Sequence, residues 1–376
     1  MRKTVSLLAA IFVLFACPLS VRAESRPHSV SSQSIVLYEP QSGRILYEKN
    51  ADTPRPMAST TKLMTALIAT EHLNVGSTVT VPAAAVLVEG SSMGLRGGDV
   101  LTVRDLLAGL LLSSGNDAAN ALALLVSGSL EAFAVLMNRK AGELGMVNTV
   151  FVTPSGLDEG NHHSTARDMA LLGSAVLKVP LLAELCSSKT VTVRINGTAV
   201  TISNHNRLLH LYKDAVGLKT GYTKKSGKCL VSAATRDGVT LVIASLNGGD
   251  YWNDHMALYN YGFSCVESVV LPLPELPSVA VVGGMAQRVL LKAIAPQAVL
   301  VKNEQESIVC EWELPPFVWA TVEVGEPIGV LRYRTAERLI AEVPLVAANT
   351  VDERAAIPFS EIWRRQLLRL FSALTR

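Results

Sequence analysis

The stretch Pro56-Met57-Ala58-Ser59-Thr60-Thr61-Lys62-Leu63-Met64-Thr65-Ala66-Leu67 decides how the rest of the chain is read. From Ser59 to His72 the pattern is helical: Leu63, Ala66, Leu67 and Thr70 share a face, and Pro54 and Pro56 stand just before it. Residues three apart on a helix are neighbours, so the Lys62 amine comes within hydrogen-bond reach of the Ser59 hydroxyl. A serine hydroxyl is a weak nucleophile until a neighbour takes its proton. The pair proves little by itself. S-x-x-K arises about once or twice by chance in a chain of this length, and in isolation a capping serine followed by a solvated lysine is the simpler account.

Two further motifs change the balance. Ser114-Gly115-Asn116 is S-x-N, and it falls between two predicted helices, Thr102 to Leu112 and Asp117 to Val126. The break Ser113-Ser114-Gly115-Asn116 lets polar side chains project into a cleft. A second instance, Ser245-Leu246-Asn247, reads as a strand end. Lys219-Thr220-Gly221 is sharper, with on the order of a tenth of an occurrence expected by chance; its plain alternative is a strand-to-turn sequence with a solvated lysine. The order S-x-x-K, S-x-N, K-T-G is the pattern of penicillin-binding proteins and serine β-lactamases. Together the three make Ser59 the nucleophile.

Around these motifs the chain divides into regions. Ile35 to Tyr38 and Ile45 to Tyr47, about the turn Pro40-Gln41-Ser42-Gly43, predict an N-terminal hairpin. Another helix is expected near Asp168 to Leu177, and strands at Ala215 to Leu218, Lys228 to Ala234 and Val239 to Leu246. Helices between an early hairpin and later strands imply an α+β layer architecture, not repeated βαβ units. Residues 31–266 form this first domain. Leu271-Pro272-Leu273-Pro274-Glu275-Leu276-Pro277 reads as a boundary, and 278–350 as a small all-β domain. Its expected strands are Val279 to Val282, Arg288 to Ala293, Ala298 to Val301, Ser307 to Trp312, Ala320 to Val324 and Ile328 to Tyr333.

The two ends speak to location. Arg2 and Lys3, the apolar run Val5 to Cys17, and the small residue closing Val21-Arg22-Ala23 read as a cleaved secretory signal, residues 1–23. Lipidation at Cys17 is the poorer fit, because Phe15 and Pro18 depart from that pattern. At the other end, 358–376 predicts a helix with Trp363, Leu367, Leu370, Phe371 and Leu374 on one face. Arg364, Arg365, Arg369 and Arg376 lie largely away from that stripe, so the helix is expected to rest on a membrane surface.

A net charge of +2 gives no reason to expect nucleic acid. Cys186, Cys229, Cys265 and Cys310 are scattered, without metal-ligand spacing, and read as free, mostly buried thiols, although an oxidising compartment would permit pairing. His162-His163 lacks an acidic or cysteine partner at ligand spacing and is expected in a surface loop, so neither metal nor cofactor is expected. His205 could border the cleft, although a structural role is the simpler expectation. Asp168 looks like a helix-start residue.

At this point a family can be named. The segment Pro56 to Leu67 resembles the nucleophile segment of low-molecular-mass penicillin-binding proteins that are serine D-alanyl-D-alanine carboxypeptidases. Leu112 to Ala119, Ser155-Gly156-Leu157-Asp158, His163 to Ala170 and Gly217 to Thr223 are similar to the same family. The likeness runs from about Ser34 to Phe263, and the remainder matches by layout. The resemblance implies a β-lactamase/transpeptidase-like α+β domain, followed by a β-rich domain and an amphipathic anchor helix. It implies removal of the terminal D-alanine from peptidoglycan stem peptides through a Ser59 acyl-enzyme, with β-lactam antibiotics as covalent inhibitors, at the outer face of the cytoplasmic membrane.

In that scheme Lys62 is the general base, neutral through burial and the nearby charge of Lys219; a protonated Lys62 would instead leave a water or Ser114 as the relay. Ser114 passes the proton to the leaving amine, with Lys219 keeping that network polarised. The backbone N–H groups of Ser59 and Tyr222 form the oxyanion hole. Thr220 and Lys219 receive the substrate carboxylate, Gly221 completes the binding strand, and Asn116 orients the substrate's amide backbone. Several relatives carry histidine where this chain has Tyr222. Within the fold, a D,D-endopeptidase is the alternative. A β-lactamase fits less well, since neither Glu143 nor Glu159 has the spacing of a deacylating loop; a non-catalytic wall-binding protein conflicts with three intact motifs.

Overall fold

The expected hairpin forms, and the main sheet is built on it. The computed structural model describes residues 29–302, 304–355, 361 and 363–368. The signal segment 1–23, and Leu370, Phe371, Leu374, Arg369 and Arg376 of the terminal segment, lie outside the described residues. Strands β1 (Ser34–Glu39) and β2 (Arg44–Lys49) pair antiparallel. A 3-10 turn at Ala58–Thr61 then runs into α1 (Lys62–His72). The short pair β3 (Thr78–Thr80) and β4 (Val100–Thr102) leads to α2 (Val103–Leu111), α3 (Asn116–Ser127) and α4 (Leu130–Glu143). Helices α5 (Ala166–Leu177) and α6 (Pro180–Ser187) follow, then a hairpin of β5 (Thr190–Ile195) and β6 (Thr198–Ser203). One turn of α7 (Leu208–Leu211) precedes β7 (Ala215–Thr223), β8 (Gly227–Arg236) and β9 (Val239–Gly248), and α8 (Tyr251–Cys265) closes the domain.

The five long strands form one antiparallel sheet in the order β2-β1-β9-β8-β7. Its strands alternate between two cores. Val36, Val231, Val242 and Ala244 face the helical cluster that holds α1, α2, α3 and α5. Ile35, Leu37, Leu230, Leu241 and Ile243 face Leu258 and Tyr259 of α8. Both faces are apolar because both are covered, which is why these strands read as unbroken apolar runs in sequence. Helix starts are fixed locally: Thr102 and Asp105 form a capping box on α2, and the Thr165 hydroxyl accepts from the Asp168 N–H at the start of α5.

Beyond α8 the chain enters β10 (Val266–Val270), β11 (Ser278–Val282), β12 (Arg288–Lys292), β13 (Gln297–Val301), β14 (Val309–Glu313), β15 (Phe317–Trp319), β16 (Pro327–Arg334) and β17 (Leu339–Ala347). Six of them make a sheet in the order β14-β16-β17-β12-β11-β15, while β10 and β13 pair as a separate ribbon. The expected strand at Ala298 to Val301 forms as part of β13, whereas one expectation is corrected: Ala320 to Val324 is not a strand but holds a single bridge, Val322 to Val351. Among the described residues no single helix is long and apolar enough to cross a membrane.

Candidate active site

Ser59 sits in the 3-10 turn, half-buried, directly after Ala58, whose φ of +49° is unusual for a residue with a Cβ. The turn is held from behind. Thr61 Oγ1 donates to the Ala58 carbonyl at 2.8 Å, and His162 Nε2 stands 2.9 Å from the same hydroxyl. His162 Nδ1 accepts from the Val152 N–H at 2.9 Å, so Nε2 carries the hydrogen and donates to Thr61. Burial pushes the His162 pKa down to about 4, which keeps the ring neutral. His162 is therefore not in a surface loop, as the His-His pair suggested; it is buried beneath the turn that carries Ser59. Gly156 presses on the same turn: at its φ of +84° a Cβ would lie 2.0 Å from the Ala58 carbonyl oxygen.

Lys62, the first residue of α1, is fully buried. Its Nζ lies 2.9 Å from Ser59 Oγ and donates to Asn116 Oδ1 and to the Ser155 carbonyl, both at 2.7 Å. Burial, and then the positive charge of Lys219, hold its pKa well below the usual lysine value, against an opposing pull from Asp117. A neutral amine has two hydrogens and one lone pair. With both hydrogens on the Asn116 and Ser155 carbonyls, the lone pair is left to accept the Ser59 hydroxyl hydrogen.

Asn116 emerges differently from its sequence assignment. Its Oδ1 is taken by Lys62, and its Nδ2 donates to the Glu89 carbonyl at 2.6 Å. It thus holds the lysine rather than presenting a free amide to substrate. Asp117 beside it is buried and accepts from the Met93 and Leu95 N–H groups, both at 3.0 Å, tying down the loop after Glu89. Ser114 is nearly buried with φ +60°, fixed between the Gly115 N–H on the Gly109 carbonyl (3.1 Å) and the Asn116 N–H on the Ser91 carbonyl (2.7 Å).

Lys219 reaches the site from the edge strand β7. It is 1% exposed, and burial lowers its pKa to about 8. Its Nζ donates to the Thr220 carbonyl at 3.0 Å, so the expected polarisation of Ser114 does not run through a hydrogen bond from this lysine; its charge acts through space. Strand β7 is pressed onto the Ser59 turn at Gly221, where a Cβ would stand 3.0 Å from both Ser59 N and Ala58 Cβ. Tyr222 follows and is 66% exposed.

Ser59, Ser114, Thr220, Gly221 and Tyr222 line one cavity of about 310 Å³, with Ser91, His205 and Tyr251 completing its wall. His205 does border the cleft; burial and Lys219 both lower its pKa. His162, Thr61, Ser155, Ser91 and Tyr251 had no assigned role from sequence. Of these, Thr61 and Ser155 lay inside segments already singled out.

This geometry has known counterparts. The family model for D-alanyl-D-alanine carboxypeptidase (peptidase S11) matches residues 20–249. The chain belongs to the D-alanyl-D-alanine carboxypeptidase family. A second model, penicillin-binding protein 5 C-terminal domain, matches residues 277–353. D-alanyl-D-alanine carboxypeptidase DacF of Bacillus subtilis is 31% identical over 87% of this chain and 88% of its own length. DacC of Escherichia coli is 31% identical over 94% and 92%. Among solved structures, penicillin-binding protein 5 of Haemophilus influenzae superposes with a TM-score of 0.67 at 29% identity, over 88% of this chain and 100% of that one. This carboxypeptidase therefore shares both its catalytic and its β-rich domain with its relatives. Neither Glu143 nor Glu159 is on the cavity wall: Glu143 pairs with Lys140, and Glu159 is exposed.

Proposed function

We propose that Ser59 is the acylated nucleophile of this D-alanyl-D-alanine carboxypeptidase and Lys62 its general base. The observation that carries the reading is the buried lysine amine 2.9 Å from the serine hydroxyl, with its other contacts both to carbonyl oxygens. Lys62 takes the hydroxyl proton as Ser59 Oγ attacks the carbonyl carbon of the penultimate D-alanine of a peptidoglycan stem peptide. The N–H groups of Ser59 and Tyr222 receive the developing oxyanion. Ser114, on the same cavity wall, relays the proton to the departing D-alanine amine, and water then hydrolyses the ester. Thr220 faces the substrate carboxylate, and protonated Lys219 supplies positive charge behind it. Asn116 is a positioning residue that aims Lys62. A β-lactam carbonyl enters by the same route and leaves Ser59 acylated.

The action is extracytoplasmic, where peptidoglycan lies. The signal segment 1–23 would export the chain, and the terminal helix would hold it at the outer face of the cytoplasmic membrane, with the β-rich domain as a spacer. Labelling by a fluorescent penicillin tests the site. The intact chain takes label and Ser59→Ala takes none; label persisting in Ser59→Ala defeats the assignment. Release of free D-alanine from a pentapeptide, compared with cleavage of a crosslinked dimer, separates carboxypeptidase from endopeptidase.

A further inference from the structure

One end of the β-rich domain carries an apolar cluster that its own core does not use. Phe317 and Trp319 on the edge strand β15 are 41% and 68% exposed, and their rings meet edge-to-face with centroids 5.4 Å apart. Trp319 pairs in register with Val282 of β11, which is also exposed, and Met285 follows in the next turn at 67% exposure. The same turn is where the chain leaves the domain. The Met285 N–H donates to the Asp352 carbonyl at 2.8 Å, Gly284 bridges to Glu353, and the Arg354 N–H donates to the Gly283 carbonyl at 2.7 Å. Residues 282–285 thus lie between the aromatic strand on one side and the departing chain on the other.

We infer that this end of the domain is a second membrane-contact surface, in which Trp319, Phe317 and Met285 enter the lipid interface beside the terminal helix. The inference rests on the membrane reading of that helix. From Ala355 to Glu361 the chain spans at most about 22 Å when fully extended. A helix lying in the interface, with Trp363, Leu367 and Leu368 exposed on it, therefore holds the exit turn within that distance of the bilayer. Tryptophan and phenylalanine are the side chains that settle at such an interface. Asp352 and Glu353 accompany Arg354 at the exit, so attraction here comes from apolar burial and not from net positive charge.

The test uses the full chain with vesicles of phosphatidylethanolamine and phosphatidylglycerol. F317S/W319S should partition roughly tenfold more weakly. That ratio should hold between about 50 mM and 500 mM salt, because apolar burial is not screened. W363E/L367E reports on the helix separately. Single-tryptophan versions, with the other three replaced by phenylalanine, then locate the contact: lipid-borne quenchers should reach Trp319 and leave Trp252 of α8 unquenched. Unchanged partitioning of F317S/W319S, or Trp319 quenched no more than Trp252, overturns the inference, and the latter is what a protein partner at this end would give. Loss of binding in F317S/W319S with none in W363E/L367E would sink the helix reading and with it a contact beside the helix, whereas loss in W363E/L367E alone would overturn only this inference. No binding by the intact chain would end both. Penicillin labelling of F317S/W319S at the normal rate verifies its fold.

Discussion

Lys62 and Lys219 share one buried region: burial lowers both pKa values, and the charge of Lys219 lowers that of Lys62 further. The proposed chemistry needs Lys62 neutral and Lys219 protonated. Acylation should therefore rise with pH through the lowered pKa of Lys62 and fall again above about 8, where Lys219 loses its proton. Lys219→Ala removes a positive charge that depresses Lys62, so the acidic limb should move to higher pH while the alkaline limb disappears. Stopped-flow acylation by a chromogenic penicillin across pH reads both limbs; an acidic limb that stays put would remove Lys219 from the electrostatics of Lys62. The Ser59–Lys62 pair was legible in sequence because a helical i, i+3 relation is local. The work of Asn116 and His162 was not, because it depends on carbonyls and hydroxyls brought from Glu89, Ser155 and Thr61 by the tertiary fold.

At the scale of elements, the site is the junction of a turn and a strand that touch without room for a side chain. Gly221→Ala would place a methyl between β7 and the backbone of Ser59, pushing the Tyr222 and Ser59 amides apart. Acylation should fall on the order of 100-fold, the loss expected when one oxyanion donor is displaced, with the thermal midpoint changing little. Gly142 in α4 is the counterpart, with nothing within 4 Å of its added Cβ. Gly142→Ala should stabilise by ~0.5–1 kcal/mol and leave labelling unchanged. Equal loss of activity in both variants would refute the packing argument. Strands β8 and β9 were readable because they are apolar on both faces, but other elements were not, and a few of them show why. The hairpin β5–β6 turns on Asn196-Gly197, at φ +50° and +80°, a two-residue signal that stands outside the apolar runs. Strand β17 was masked by Pro344, tolerated because β12 pairs with β17 only at Val346 and Ala347. Helix α8 is crowded with aromatics of modest helix propensity, and its place is set by Leu258 and Tyr259 packing on the sheet.

Across the whole molecule, the proline-rich stretch marks a domain boundary, and the β10–β13 ribbon makes the join a shared wall. Along β13, Val299 is buried in the cluster beneath the catalytic sheet, whereas Ala298 and Leu300 are buried in the core of the β-rich domain. Leu271, at the head of the proline-rich stretch, belongs to that second core as well. Glu304 adds an ionic tie, accepting from Arg44 of β2 and from Arg338. Composition could mark the prolines but not a pairing between strands some thirty residues apart. In the proposed role of the β-rich domain as a spacer, it has to transmit orientation, and a strand buried on both faces does so where a tether would not. The two domains should therefore unfold as one cooperative unit. Leu300→Ala, although it faces only the β-rich core, should cost ~2–5 kcal/mol and lower the temperature at which the catalytic domain loses penicillin labelling. Val299→Ala, on the opposite face, should move the same single calorimetric transition. Two separate transitions, each shifted only by the variant on its own side, would show that the wall does not couple the domains.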